Sequence, residues 1–401
     1  MVSSSGELLG TAQHRTTPPE VLSGVAEVTS ALAADSLPVL ACSSAGGGLR
    51  LAVVGHERLV SAEAGHRVAL SAGAKVVHVS AGELSAAGVR ALRDAKPDVL
   101  LLVGGTDGGD EKVLLHNASR LSRVAVPIVL AGNVAARSSA LALLSSRQVV
   151  AVDNVLPDVG ELAPEPARAA IRQVFLSHVI GGKGLSRGPS FRRLVSTVTP
   201  DAVLSAVAHL ASPDGAVLVV DVGGATTDVY SAVSVAEKSK RAVALPPNRR
   251  TVEGDLGMRV SVPGVVAESV AERLIEPEEA ATLSEAAAHR HENVDFVPST
   301  PEESQVDLRI AQLAVTVAIR RHLRMIDNQL GPKGAGLLVL SGGVFRHATG
   351  EITPPDDPLL RPILRTAKVV VDKESRLGPA GLLTQAGAPT TAKALLAPLH
   401  T

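Results

Sequence analysis

The string DVGGATTD at residues 221–228 places two glycines and two threonines between two carboxylates. Asp221 follows four apolar, strand-like residues, and α/β folds place ligands at the carboxyl ends of their strands. Gly223 and Gly224 carry no Cβ, so a bound group can come close to their backbone. Their amides would then face phosphate oxygens. The pattern predicts a phosphate site after a buried strand.

Hydroxyl and carboxylate groups complete this candidate site. Thr226 and Thr227 would add donors for phosphate oxygens, and Asp228 closes the string. Asp221 is the candidate catalytic residue and metal ligand, because hydrated Mg²⁺ bridges a carboxylate and a phosphate. The alternative is a glycine hairpin turn with threonines on an edge strand. The full string is specific enough to favour phosphate.

The elements around this string resemble those of the actin, sugar-kinase and heat-shock-chaperone ATPase superfamily. The string itself is similar to the second phosphate motif of that superfamily. LLVLSGGVFRHA (337–348) resembles its adenosine motif, in which Gly342 and Gly343 would pass beneath the nucleotide. TVEGDLGMR resembles the segment that contacts the nucleoside, with Glu253 and Asp255 as polar contacts. The resemblance implies a two-lobed, actin-like α/β fold that binds ATP and Mg²⁺.

A narrower resemblance covers roughly residues 6 to 350. It is carried by the strings GGTDGGDEKVLLHNA, AGNVAAR, DNVLPDVGELAPEPAR, DVGGATTDVYS and EGDLGMR. Together they resemble the glutamate mutase accessory family often labelled MutL, which is unrelated to the mismatch-repair protein of that name. This resemblance implies a protein that uses ATP to reactivate an adenosylcobalamin-dependent mutase, which would be its partner.

Periodicity predicts two lobes. The first lobe, residues 1–198, includes a parallel α/β segment at 97–155, because continuous apolar runs there alternate with helix-compatible stretches. A Gly/Ser/Arg/Pro-rich connection at 181–200 is the predicted boundary. The second lobe, 199–401, carries the phosphate and adenosine motifs. We expect a hairpin after residue 217, helix over 266–288, a charged, loop-rich stretch over 276–304, and a long helix over 307–330.

The start of the chain departs from the superfamily pattern. The first phosphate motif, Asp-x-Gly-Ser/Thr followed by a lysine-bearing turn, has no match before SGELLGTAQHRTTPPE. Residues 7–12 resemble the later strand of that hairpin, so we expect a first lobe that lacks its N-terminal phosphate-loop strand. Codons upstream of Met1 are predicted to encode the missing strand. ATPase activity is expected once that loop is restored.

The turn GGTDGG at 104–109 has two readings. It follows the apolar run VLLLV and precedes the helical EKVLLHNA, so free amides at the helix start could bind an anion. Alternatively it is a tight strand-to-helix connection in which Asp107 or Asp110 caps the helix. The residues alone leave both readings open, and a cobalamin or mutase contact here has no support from them.

Composition narrows the class of protein. The 39 Lys and Arg nearly balance the 40 Asp and Glu, and aromatic residues make up 1%, which disfavours nucleic acid as a partner. The apolar runs are too short to span a membrane, and no secretory signal precedes them, so we expect a cytoplasmic protein. Cys42 is the single cysteine, which disfavours an activator that shares an iron–sulfur cluster across a dimer.

Three functions remain as hypotheses. The first is an ATP-dependent reactivating protein for an adenosylcobalamin-dependent mutase of the glutamate mutase type. The second is a hydantoinase-like or kinase-like metabolite enzyme on the same fold. The third is a non-catalytic binding partner that has lost ATP turnover. The residues leave open which mutase is served and whether the chain forms an oligomer.

Overall fold

The chain forms two compact units. The computed structural model describes residues 1–17, 20–43, 49–57, 60–72, 74–175, 191, 194–212, 214–233, 247–328, 330–331, 333–348, 352–353 and 355–400. Among these, the first unit comprises residues 12–201, and the second comprises residues 1–11 together with those from 202 onward. Most of the connection predicted at 181–200 lies outside the described residues.

The first unit is built on a parallel sheet. Its strands are β1 (Ala41–Ser43), β2 (Arg50–Gly55), β3 (Lys75–Ala81), β4 (Val99–Leu102), β5 (Ile128–Leu130), β6 (Val149–Ala151) and β7 (Val195–Val198). Five of them form one all-parallel sheet in the order β3-β2-β4-β5-β6, while β1 pairs separately with β7. The parallel segment predicted at 97–155 is therefore longer than expected and begins at residue 50.

Helices cover both faces of this sheet. They are α1 (Val21–Ala31), α2 (Ser61–Ser71), α3 (Ala86–Asp94), α4 (Lys112–Leu121), α5 (Arg137–Leu143) and α6 (Glu165–Val174). One core contains Leu51 and Val53 of β2 with residues of α2 and α6. The other contains Ala52 and Val54 with residues of α3, α4 and α5. Alternate strand residues point to opposite faces, so strands buried on both faces read as continuous apolar runs.

The second unit contains a mixed sheet. Its strands are β8 (Ala216–Val222), β9 (Thr227–Ala232), β10 (Asn248–Glu253), β11 (Ala335–Ser341) and β12 (Lys368–Val371), in the order β10-β9-β8-β11-β12. The pairs β8–β9 and β9–β10 are antiparallel, whereas β11 runs parallel to β8 and β12. The hairpin predicted after residue 217 is confirmed. The α/β class predicted from the sequence is confirmed in both units.

The helices of the second unit differ in part from prediction. They are α7 (Thr199–Leu210), which begins at the boundary, α8 (Val262–Ala271), α9 (Pro277–Glu292), α10 (Pro301–Met325), α11 (Gly343–Arg346), α12 (Arg361–Leu364), α13 (Leu377–Gln385) and α14 (Pro389–Leu396). The prediction that 276–304 is loop-rich was wrong over α9, whose first turn carries two glutamates that favour a helix start. Helix α10 begins earlier than expected because Thr300 and Glu303 form a capping box.

Residues 1–11 pack with the second unit. Val2 and Leu8 form an isolated antiparallel bridge, and both side chains contact the core of that unit. Gly6 has a φ of +89°, and a Cβ there would lie 2.5 Å from the Cβ of Ala394 on α14. The expectation that residues 7–12 form a strand of the first lobe is therefore wrong, because these residues form no strand and Leu8 packs against the core of the second unit.

Candidate phosphate-binding site

Three parallel strands of the second unit end side by side. In the strand register Asp221 of β8 lies opposite Ser341 of β11 on one side and Asp228 of β9 on the other. Asp372 directly follows β12, the next strand along the sheet. The carboxyl edge of this sheet therefore gathers three carboxylates, at the place where α/β proteins bind ligands.

The carboxyl group of Asp221 has an unusually high pKa. Burial, and then the neighbouring carboxylate of Asp228, raise its pKa to about 6, although a hydrogen bond from Ser341 acts in the opposite direction. Burial likewise raises the pKa of Asp372. Carboxyl groups whose pKa values are raised by burial are stabilised in their ionised form when a cation binds beside them.

The turn that follows Asp221 is held by its carbonyl groups. The amide of Gly223 donates to the carbonyl of Thr226 at 2.9 Å. The amide of Met258 donates to the carbonyl of Gly223 at 2.9 Å, and that of Arg259 to the carbonyl of Gly224 at 2.7 Å. The segment EGDLGMR, which the sequence assigned to the nucleoside, thus fixes the turn from behind.

The donors of the same turn are unused. Within the part of the chain that the structure describes, the amides of Gly224, Ala225 and Thr226 and the hydroxyl of Thr226 form no hydrogen bond. Gly224 is also open, since a Cβ there would come no closer than 3.9 Å to another atom. Consecutive free amides beside a carboxylate form a site for a phosphate group with its Mg²⁺.

Two predicted site residues have structural partners instead. The side chain of Thr227 is fully buried, and its hydroxyl donates to the carbonyl of Leu256 at 3.0 Å. This hydroxyl is therefore engaged within the protein, and a role for Thr227 as a phosphate donor stays a prediction. Asp228 accepts a hydrogen bond of 2.9 Å from Nε of the buried Arg250. Oδ1 of Asp228 is thus engaged with Arg250, and the charge of Asp228 raises the pKa of Asp221.

Glu253 and Asp255 bind an arginine of α10. Nη1 of Arg321 lies 2.9 Å from the Glu253 carboxylate and 2.8 Å from that of Asp255, and Nη2 lies 2.7 Å from Glu268. These carboxylates tie β10 and the following turn to α8 and α10. They were predicted as contacts to the nucleoside, whereas here their oxygens are engaged with Arg321.

The second glycine motif lies beside the first. Gly342 has a φ of +121°, and a Cβ there would lie 2.3 Å from the carbonyl oxygen of Val222. Only glycine can occupy this position, because the end of β11 passes directly over the end of β8. Gly343 is open, with the nearest atom to a hypothetical Cβ at 3.9 Å. The two motifs, separated by more than a hundred residues, meet at one edge of the sheet.

Sequence reasoning missed Ser341, Arg346 and Asp372. Arg346 on α11 reaches back towards this edge, where its charge lowers the pKa of both Asp221 and Asp372. One of its nitrogens contacts the hydroxyl of Ser375, while Nε has no hydrogen-bond partner among the described residues. Arg346 could have been found from the sequence, because it follows the second glycine motif in the string SGGVFR. Asp372 could have been found as the first acidic residue after the apolar run KVVV.

Three amides of the GGTDGG turn in the first unit donate hydrogen bonds within the protein. The amide of Asp107 donates to the carbonyl of Pro157, that of Gly108 to Oδ1 of Asn133, and that of Gly109 to the carbonyl of Thr106. Asp110 accepts from the amide of Val113 at 3.4 Å, at the start of α4. Asp110 is thus placed as a cap at the start of α4, as the tight connection requires.

Metal binding rests on few protein ligands. Within the described ranges, no group of three or more His, Cys, Asp or Glu side chains is placed to hold a metal ion. Mg²⁺ needs only one or two carboxylates when waters and phosphate oxygens complete its shell, so Asp221 fits it.

None of the described helices is long and apolar enough to cross a bilayer.

The fold and this edge define an α/β protein with a candidate phosphate site in its second unit. The profile of the family described as "MutL protein" matches residues 1–398. "Protein MutL" of Clostridium tetanomorphum is 34% identical over 383 residues, which cover 86% of this chain and 82% of that protein. The chain belongs to the MutL family, the glutamate mutase accessory family that its motifs resemble.

Solved structures are more distant. The PilM–PilN type IV pilus biogenesis complex matches with a TM-score of 0.24 and 18% identity, over 56% of this chain and 57% of that one. The apo pSK41 ParM protein matches with a TM-score of 0.22 and 10% identity, over 72% of this chain and 69% of that one. At TM-scores this low, neither similarity adds to what the family and the topology establish.

Proposed function

We propose that this protein is an ATP-dependent reactivating factor for an adenosylcobalamin-dependent mutase of the glutamate mutase type. Membership of the MutL family supports the accessory role. The observation that carries nucleotide binding is the run of unused amides from Gly224 to Thr226 beside the carboxylate of Asp221. The proposed setting is a cytoplasmic protein with two actin-like lobes.

The phosphates would lie against the turn after β8. The amides of Gly224, Ala225 and Thr226 and the Thr226 hydroxyl would donate to phosphate oxygens. Mg²⁺ would bind between these oxygens and Asp221, through water or directly. Its charge would pull the pKa of Asp221 down from about 6, so that the carboxylate is fully ionised in the complex.

The nucleoside would pass over the second glycine motif. Gly343 has no side chain to obstruct a sugar or base, and Gly342 keeps the end of β11 against β8. The unpaired Nε of Arg346 is available at the same edge to a phosphate oxygen or a base. Glu253 and Asp255 would then act through Arg321, by holding the segment that supports the turn.

Nucleotide drives a partner only if it binds one conformation better than another. A phosphate clamp that tightens around ATP and loosens around ADP would supply that difference. The proposal therefore has two separable parts, nucleotide binding at the β8 turn and a nucleotide-dependent complex with the mutase.

Calorimetric titration tests the first part. The full chain is expected to bind Mg-ATP, and Asp221→Asn is expected to abolish measurable binding because the metal loses its carboxylate. Asp214→Asn is a matched control, since Asp214 precedes the opposite end of the same strand and is exposed. Equal Mg-ATP binding by the Asp221 variant and the wild type would exclude this site.

Co-purification with glutamate mutase subunits tests the second part. The complex is expected to differ in stability between ATP and ADP, and to lose that difference in the Asp221→Asn variant. Absence of a complex in either nucleotide would favour a metabolite enzyme on the same fold. A complex that forms without ATP turnover would favour the non-catalytic binding partner.

A further inference from the structure

The five-stranded parallel sheet of the first unit contains a second place where α/β proteins bind ligands, separate from the phosphate site of the second unit. Its strand order is β3-β2-β4-β5-β6, so the second strand in the chain lies on one side of the first, and the remaining three follow on the other side. Helices α2 and α6 cover one face of the sheet, and α3, α4 and α5 cover the other. In such doubly wound sheets ligands bind outside the carboxyl ends of the strands, where the order reverses. Here that switch point lies between β2 and β4.

His56 stands at this switch point. It directly follows β2, and its backbone is held on both sides: its amide donates to the hydroxyl of Ser61 at 2.8 Å, and its carbonyl accepts from the amide of Gly82 at 2.7 Å. The imidazole extends towards the connection after β4, where Nε2 lies 3.9 Å from the carboxylate of Asp110. Its side chain is 23% exposed. A solvent-accessible imidazole is thus fixed at the crevice.

The surroundings of His56 contain few side chains. Gly104 packs on it so closely that a Cβ would lie 3.1 Å from the His56 Cβ, while a Cβ on Gly82 would meet nothing nearer than the His56 carbonyl at 4.0 Å. Gly108 faces open space. The amides of Asp107, Gly108 and Gly109 on this rim already form hydrogen bonds within the protein, and Asp107 and Asp110 are exposed carboxylates. The two carboxylates oppose a phosphate, whereas the open glycines leave room for a broad, flat group.

An imidazole backed by a carboxylate is a common arrangement of a metal ligand. A free ion that binds imidazole, such as Zn²⁺, would need three or four protein ligands, and the described residues offer no group of three or more His, Cys, Asp or Glu. A metal held by its own macrocycle needs only an axial ligand from the protein. One histidine on a flat, glycine-lined rim meets that requirement.

We propose that the switch point of the first unit binds a corrinoid, with the imidazole of His56 as an axial ligand of its cobalt. The choice of a corrinoid over a haem rests on the proposed function, because the mutase partner uses adenosylcobalamin. The site would let the protein hold a corrinoid in the course of reactivation. No described residue other than His56 is assigned to the cobalt.

Electron paramagnetic resonance of cob(II)inamide tests this assignment in the full chain. Cobinamide lacks its own lower base, so any nitrogen on the axis comes from added protein. Bound cob(II)inamide is expected to show a triplet splitting from one ¹⁴N nucleus. Protein labelled with [¹⁵N]histidine is expected to convert the triplet to a doublet. A wild-type spectrum without nitrogen splitting would overturn the proposal.

His66 provides a matched control. It lies on α2, its side chain is 24% exposed, and its Nδ1 is 4.0 Å from Glu63, yet it is away from the strand ends. His56→Ala is expected to lose the triplet, and His66→Ala to keep it. The same triplet in the His56 variant would refute the assignment, and tighter binding of haemin than of cobinamide would refute the choice of a corrinoid. Mg-ATP titration of the His56 variant reports nucleotide binding separately, so the two proposals fail independently.

Discussion

Asp221 is half-buried at the end of β8, and its charge is unfavourable in the ligand-free protein. Its pKa rises from an ordinary value near 3.8 to about 6 because burial and Asp228 oppose its charge. The folded state therefore binds this proton more tightly than the unfolded state does. Ionisation of Asp221 costs folding free energy, and the cost grows between about pH 4 and pH 6 and persists above that range.

Asp221→Asn is therefore expected to stabilise the ligand-free protein. At about pH 7.5 the variant should exceed the wild type by about 2–3 kcal/mol in free energy of unfolding, since one pKa unit corresponds to about 1.4 kcal/mol. The gain should vanish near pH 4, where both side chains are neutral. Urea titrations at the two pH values measure it. A variant less stable than the wild type at the higher pH would contradict this account of Asp221.

Gly342 and Gly343 allow a paired test of the second glycine motif. Gly342→Ala would place a methyl group 2.3 Å from the Val222 carbonyl at a φ of +121°, so it is expected to lower the unfolding temperature and to displace the β8 turn. Gly343→Ala meets nothing nearer than 3.9 Å and should fold normally. Differential scanning calorimetry distinguishes them. Equal unfolding temperatures for the two variants would argue against the close approach of β11 and β8.

At the scale of elements, α10 is joined to the sheet by a buried histidine. The ring of His322 contacts the hydroxyls of Thr251 on β10 and Ser231 on β9, each at 2.9 Å. Burial, assisted by the charge of Arg249, lowers its pKa to about 3. The folded state thus keeps this imidazole neutral. Its contribution to stability is present above the ordinary value near pH 6.5 and is lost as the pH falls towards 3.

His322→Gln is expected to cost about 1–3 kcal/mol at neutral pH, because two buried hydroxyls lose a partner of the right shape. The difference between variant and wild type should shrink as the pH is lowered from about 6.5 towards 4, since the wild type must then protonate or unfold. Comparing the two proteins at each pH cancels the opposite contribution of Asp221. His289→Gln on the exposed face of α9 is the control. A difference independent of pH would show that His322 does not titrate on unfolding.

At the scale of the whole molecule, each unit has hydrophobic cores of its own. Multi-domain proteins of this kind commonly depart from two-state unfolding. Tyr230 is the single tyrosine and the chain has no tryptophan, so near-ultraviolet signals of this side chain report the second unit. The two units can therefore be followed separately without a label.

Mg-ATP is expected to raise the midpoint of the tyrosine transition. At a ligand concentration of about 100 times Kd the gain should be about 2.7 kcal/mol, because the ligand binds only the folded site. Far-ultraviolet circular dichroism, which reports both units, should show a second transition that need not coincide with the first. In the Asp221→Asn variant the tyrosine midpoint should not respond to Mg-ATP. A response retained in that variant would place the nucleotide elsewhere.

Much of the architecture could be read from local pattern. Apolar runs that end in small or polar residues predicted the parallel strands within 97–155 and the β8–β9 hairpin, whereas β10 and β12 were not predicted. The string DVGGATTD predicted a turn with free amides. Such features are readable locally, because the apolar pattern of a strand and the glycines of a turn lie within a few residues of one another. The helix predicted over 266–288 runs across the break between α8 and α9, and the start of α10 was placed too late. The proline and acidic residues at 277–279 and the Thr300–Glu303 box were not weighed as helix starts.

The sequence by itself determined the class of fold, the family and the two glycine motifs of the candidate site. Only the tertiary structure decided which polar residues remain free for a ligand. Thr227, Asp228, Glu253 and Asp255 matched the motif, yet their partners Leu256, Arg250 and Arg321 lie 22 to 68 residues away in the chain. The structure likewise brought Arg346 and Asp372 to Asp221. Whether a buried polar group already forms a hydrogen bond within the protein depends on residues distant in sequence. The reason is that buried polar groups are nearly always hydrogen-bonded, and the fold decides which partner each one meets.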